Sequence, residues 1–283
     1  MIKRGVFLFL FLSASPVFAG DEKPPMLAHP YVLVTMLLMI AILYTYLLTA
    51  KKGKLPFIRT LPGLKAIDEA IGRATELGKP VLYLSGLGDV DNIQTLAALS
   101  ILSHVAKKAA EYDTPLIMPS MYSVTMVTAQ EVIKEAHLRA GRPDTYNPDN
   151  VYYVSDEQFA FVAHTNGVME RMRPAANIYM GAYFGESLIL AETGHATGAI
   201  QIAGTAETSQ LPFFVVACDY CLIGEELYAA SAYLSQDAKQ MGSIKAQDVV
   251  RLIVLGFILV GSILETVNLP HYADFFQKVL GGG

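Results

Sequence analysis

The stretch PGLKAIDEAIGRATELGKPVLYLSGLGDVDN, residues 62–92, decides the fold. Leu64, Ile67, Ala70, Ile71, Ala74 and Leu77 recur at helical spacing between a starting Pro62 and the stops Gly78 and Pro80, which makes one apolar face of an amphipathic helix. Val81 to Ser85 (VLYLS) is a short apolar run with no polar alternation, as in a strand buried on both faces. A glycine-bearing turn follows, and Ile93 to Glu111 reads as a long helix. Helix, buried strand, turn and helix form the repeating unit of an α/β fold.

Downstream the alternation continues. PLIMP (115–119) reads as a strand and Ser123 to Ala140 as a helix stopped by Gly141. VYYVS (151–155) is the next strand, with Asp156 capping a helix that ends near Gly167. Val168 to Met172 and Ala176 to Met180 read as strands, Tyr183 to Glu192 as a helix, Ala199 to Ala203 and Phe213 to Ala217 as strands, and Ile223 to Leu234 as a final helix. The predicted fold class is α/β: a mostly parallel sheet with helices on both faces, Rossmann-like, in one compact domain over residues 55–248.

The flanks have a different character. Residues 1–19 carry Lys3 and Arg4, an apolar run and Val17-Phe18-Ala19, the layout of a secretory signal peptide or, if uncleaved, a signal anchor. Residues 31–50 hold no charge over about the 20 residues a transmembrane helix needs. Lys51, Lys52, Lys54 and Arg59 follow and place that end on the cytoplasmic side. A second apolar run, 249–269, predicts a second transmembrane helix, with residues 270–283 as an extracytoplasmic tail. These readings put the protein in a cell membrane, with the main domain cytoplasmic and both ends outside. The hydrophobic fraction of 53% and charged fraction of 17% suit a soluble domain held by few spans. A net charge of -5 without a Lys/Arg cluster argues against nucleic-acid binding.

Candidate chemistry is sparse. Ser85, Gly86, Gly88, Asp89 and Asp91 sit between a strand and a helix, where open α/β sheets bind ligands. Asp91 stands where a dinucleotide fingerprint needs its third glycine, and no Gly-Lys-Ser/Thr of a P-loop is present. A structural turn with Asp91 as helix cap is the competing reading. Cys218 and Cys221 have CxxC spacing, yet Asp219 opposes thiolate formation and a zinc site lacks two further ligands, so buried structural cysteines are expected. Glu186, Glu192 and His195 put carboxylates near an imidazole, with Ser187 and Ser209 nearby, but no nucleophile elbow accompanies them. His104, His137 and His164 fall singly on helices and read as packed or solvated. Neither a metal site nor a cofactor is anticipated.

The segment from Arg173 to Leu234 packs Gly181, Gly185, Gly194, Gly198 and Gly204 among small and β-branched residues. Backbones can approach closely there, within the fold or between subunits.

Several runs resemble a known family: GLKAIDEAIGRATELGKPVLY, YDTPLIMP, AQEVIKEA, AGRPDTYNPDNVYYVSD, PAANIYMG, ESLILAETG, TGAIQIAGT, QLPFFVVACDY and IGEELYAASAYLS. Over residues 63–235 they are similar to prokaryotic membrane-anchored proteins known only as a domain of unknown function. The resemblance implies a membrane-tethered α/β domain and carries no catalytic residue to this chain.

Without a catalytic signature, the expected role is a homo-oligomeric scaffold at the inner face of the membrane, in contact with the lipid bilayer and open to other membrane proteins. The five glycines are its candidate oligomer contacts. The alternative is a small-ligand or nucleotide-binding sensor or enzyme using Ser85 to Asp91 with Glu186, Glu192 and His195.

Overall fold

The structure, a computed structural model, describes residues 30–51 and 62–266. The signal segment 1–19 and the tail 270–283 lie outside the described residues. Described residues between 46 and 245 form one compact unit; helical residues 30–45 and 246–266 belong to a second.

In the larger unit the helix α2 (Pro62–Leu77) precedes β1 (Val81–Leu84). Then come α3 (Ile93–Glu111), β2 (Leu116–Ser120), α4 (Ser123–Arg139) and two short 3-10 turns, Pro143–Thr145 and Pro148–Asn150. The second half runs β3 (Val151–Tyr153), α5 (Gln158–Met172), β4 (Ala176–Met180), α6 (Ser187–Ala196), β5 (Ile200–Thr205), α7 (Leu211–Ala217), β6 (Tyr220–Ile223) and α8 (Glu225–Ser235). The strands form a single six-stranded sheet in the order β3-β2-β1-β4-β5-β6. Every pairing is parallel. This order reverses between β1 and β4, as in doubly wound dinucleotide-binding folds.

Alternation along the strands builds two cores. Val81, Tyr83, Ile178, Met180 and Ile202 face α2, α3, α4 and α8, while Leu82, Leu84, Ile117, Tyr179 and Ala203 face α5, α6 and α7. The apolar stripe of α2 is buried as its spacing predicts, except Leu77, which lies at the helix end and is 54% exposed. The Tyr83 hydroxyl is satisfied in the core by donating to the Ala98 carbonyl at 2.6 Å.

Several sequence expectations need correction. Val168 to Met172 continues α5 instead of forming a strand. Gly167, expected to stop that helix, is tolerated within it, where the Arg171 guanidinium covers it. Phe213 to Ala217 lies in α7, with Pro212 in the first helical turn, a position that needs no N–H partner. Helix α6 begins at Ser187 rather than Tyr183, because Gly181 to Glu186 form the loop at the end of β4. Two caps fall one residue later than expected: Asn92 accepts from Gln94 N, and Glu157 accepts from Phe159 N and Ala160 N.

The expectation of two transmembrane helices is also reduced. Among the described residues one helix is long and apolar enough to cross a membrane, Ala238–Ile263 within α9 (Ala238–Thr266). The earlier helix α1 (Pro30–Lys51) carries a shorter apolar segment, Leu33–Thr49, below the roughly 20 residues that span a bilayer.

Candidate functional site

The strand order directs attention to the crevice between the carboxyl ends of β1 and β4. Here it is filled by backbone. Gly86, with φ of 80°, passes so close to the β4 loop that a Cβ would lie 2.5 Å from the Ala182 carbonyl oxygen. Gly181, with φ of 121°, would place a Cβ 2.3 Å from the Ser85 carbonyl oxygen. Leu87 N donates to Ala182 O at 2.8 Å, and the Tyr183 hydroxyl donates to Leu84 O at 3.2 Å, so the two loops are stitched together. Burial pushes the Tyr183 phenol well above its usual range, with Tyr83, Tyr179 and Glu186 adding to the effect.

The amino terminus of α3, where a Rossmann fold holds a pyrophosphate, is covered as well. Gln94 is buried, donates from Nε2 to Glu207 Oε1 at 2.8 Å, and accepts through Oε1 from Ala206 N at 2.8 Å. This amide ties the first turn of α3 to the end of β5. Asp89 serves the same packing role: its Oδ1 accepts from Val90 N at 2.8 Å and from the Thr125 hydroxyl at 2.9 Å. Ser85 and Gly86 are buried, Gly88 is partly buried, and Asp91 is exposed.

The remaining candidates do not converge on that crevice. Glu186 is fully buried and accepts from Phe184 N at 2.7 Å and from the Gln158 amide, which holds the β4 loop against α5. Ser187 donates to Gln210 Oε1 at 2.8 Å. Glu192 and His195 stand exposed on α6.

Three of the five glycines use their missing side chains inside the domain. Gly181 does so at Ser85; Gly194 faces Gln201, Tyr179 and Asn177; Gly204 faces Met180 and Leu222. A Cβ on Gly185 or Gly198 would meet open space.

Cys218 caps α7 and Cys221 lies in β6, both half-buried and free. A helix, not a strand, therefore leads into the motif. Their thiols hydrogen-bond to each other: donation to the Cys221 sulfur raises Cys218, which burial raises further, and lowers Cys221. Asp219 is occupied in accepting from Gln201 N at 2.8 Å.

The family model described as Domain of unknown function (DUF6754) matches residues 26–276. The chain belongs to that family. No curated protein and no solved structure matches it.

The DUF6754 domain exposes one feature that spacing did not reveal. On the side carrying α6 and α7, Phe184 is 50% exposed, Val215 51% and Val216 87%. Leu188, Ile189 and Phe213 on the same two helices, and Tyr220 and Ile223 on β6, are also exposed. Among the described residues strand β6 is an edge of the sheet, paired only with β5. From Pro174 to Ala238 the sequence has no lysine or arginine, while Glu192 and Asp219 stand exposed there. The strand expectation for Phe213 to Ala217 concealed this surface, because a strand there would have been core.

Proposed function

We propose that this chain is a membrane-anchored, non-enzymatic protein whose α/β domain self-associates, forming a homo-oligomeric scaffold at the inner face of a prokaryotic cell membrane. The observation that carries the reading is the exposed apolar surface of α6, α7 and β6, centred on Val215 and Val216. Monomeric soluble domains rarely leave such a patch to water, and an unpaired apolar strand edge invites a second strand. Burial repays about 25 cal/mol for each Å² of apolar surface covered.

A second copy is the occupant that fits. An isologous contact brings β6 against its own symmetry mate, so both the edge and the aliphatic side chains are covered at once. The absence of lysine and arginine across Pro174 to Ala238 argues against anionic lipid or nucleic acid as the occupant. Anchoring is supported by the apolar helix Ala238–Ile263, and a cytoplasmic position of the domain by the basic run after residue 50. Other membrane proteins are the partners such a scaffold would organise. The sensor or enzyme alternative loses support at the strand ends, where loop backbone fills the crevice and Glu192 and His195 stand apart from it.

Photo-crosslinking in native membranes tests the assignment. A photoreactive residue at Val216 should capture a second copy of this chain, while one at exposed Leu138 on α4 should not. Capture of a different protein from Val216, or equal self-capture from both positions, would overturn it.

A further inference from the structure

At the opposite end of the sheet a partly open cavity of about 230 Å³ lies among the end of α3, the start of β2, α4 and the loop before β3. We propose that this cavity is a binding site for a small neutral heterocycle of nucleobase size. It is independent of the self-association surface.

The first reason is an unmatched imidazole. His137 lines the cavity and is only 6% exposed. Its Nδ1 lies 2.9 Å from the Ile133 carbonyl of its own helix. A carbonyl only accepts, so Nδ1 carries a proton and Nε2 is the nitrogen left for a partner in the cavity. Nε2 has no protein partner among the described residues. A ring nitrogen left open at a cavity wall faces water or a ligand.

The second reason is the set of donors around it. Tyr146 stands edge-on to the His137 ring with centroids 5.7 Å apart, and its hydroxyl, whose pKa burial raises, has no protein partner among the described residues. Asn147 accepts from Asp149 N through Oδ1 at 3.0 Å, which leaves its NH₂ to donate. The Asn150 side-chain amide is unpaired among the described residues and presents a donor and an acceptor side by side. That pair is the complement of an adenine N7 and amino edge. By contrast Thr114 is taken, its hydroxyl 2.6 Å from that of Thr75.

Charge and size narrow the class. The lining includes one carboxylate, Asp113, and no lysine or arginine, so nothing there compensates a phosphate or carboxylate. Asp113 is itself paired with Arg142 at 3.5 Å. Ala109, Leu116, Ile133 and Val151 supply apolar walls suited to the faces of a ring. A volume below the roughly 300 Å³ of drug-sized sites matches a single small ring system.

The test is equilibrium dialysis of the full-length protein in detergent against adenine, adenosine, uracil, glucose and inorganic phosphate, each alone. The expected result is saturable binding of a base or nucleoside at one per chain and no uptake of phosphate. Asn150→Ala and Tyr146→Phe should each weaken binding about tenfold, the loss expected for one hydrogen bond. Tyr146→Phe removes only a hydroxyl and serves if Asn150→Ala lowers the melting temperature. Absence of base and nucleoside binding at millimolar concentration would overturn the proposal. So would preferential uptake of glucose or phosphate, or binding that a folded variant does not weaken.

Discussion

Replacing Gly181 by alanine tests the backbone crossing that closes the carboxyl end of the sheet. Gly181 has φ of 121°, and an added Cβ would stand 2.3 Å from the Ser85 carbonyl oxygen and 2.9 Å from the Ser85 carbonyl carbon. Two costs combine. Holding a non-glycine residue in so sparsely populated a region costs about 1–3 kcal/mol. Pushing the β1 and β4 loops apart costs about 1–3 kcal/mol more, because the obstructing atoms are backbone and cannot rotate away. Together they remove roughly 2–6 kcal/mol from a domain whose total stability is on the order of 5–15 kcal/mol. At roughly 2–4 °C per kcal/mol for a domain of this size, the melting temperature falls by about 4–24 °C. Gly198→Ala is the matched control: its φ is 75°, but a Cβ there meets nothing within 4 Å, so only the conformational cost applies. Near-ultraviolet circular dichroism of the full-length protein in detergent follows the melt through its 15 tyrosines. Gly181→Ala should melt several degrees below Gly198→Ala. Equal melting temperatures for the two variants would refute the close crossing.

Two further outcomes are expected. Cys221, whose thiol the hydrogen bond from Cys218 holds below its usual range, should be alkylated by iodoacetamide before Cys218, as read by peptide mass spectrometry. Cys218→Ser should shift the pH dependence of Cys221 alkylation, and an unshifted profile would contradict the coupling. Burial also raises Tyr83, Tyr179 and Tyr183 well above the ordinary phenol value of 10.0. A group whose folded pKa is raised contributes stability that is complete below the unfolded value and is lost as pH rises above it. Alkaline titration at 295 nm should therefore show these three phenols ionising only together with unfolding above about pH 10; their reversible ionisation in the folded protein would contradict the burial.

The alternation of apolar strands and helices made the sheet legible, since VLYL, LIMPS and ANIYM are buried along their whole length and are apolar apart from Ser120 and Asn177. Ambiguity entered where period and composition conflict. LPFFVVA is rich in β-branched and aromatic residues, yet it is a seven-residue helix with only Phe214 buried, too short to display a helical stripe. The candidate site was less legible. Gln94 and Glu207 meet across 113 positions, and local spacing carries no trace of such a contact. Three of the five glycines mark a close approach, but whether the approaching atoms belong to the same domain is a tertiary fact: at Gly181 they belong to Ser85. His137 read as packed or solvated, and it is packed; the open Nε2 becomes visible only when the cavity beside it is built by α3, β2, and the loop before β3.

The central claim is that the domain associates with itself through the α6, α7 and β6 surface. Its most direct test is the protein mass of the detergent-solubilised particle, measured by light scattering with the detergent contribution subtracted, for the native chain and for Val216→Glu. The account predicts a mass of at least two chains for the native protein and a single chain of 30.8 kDa for the variant. A native particle of one chain, or an oligomer that Val216→Glu leaves intact, would contradict it.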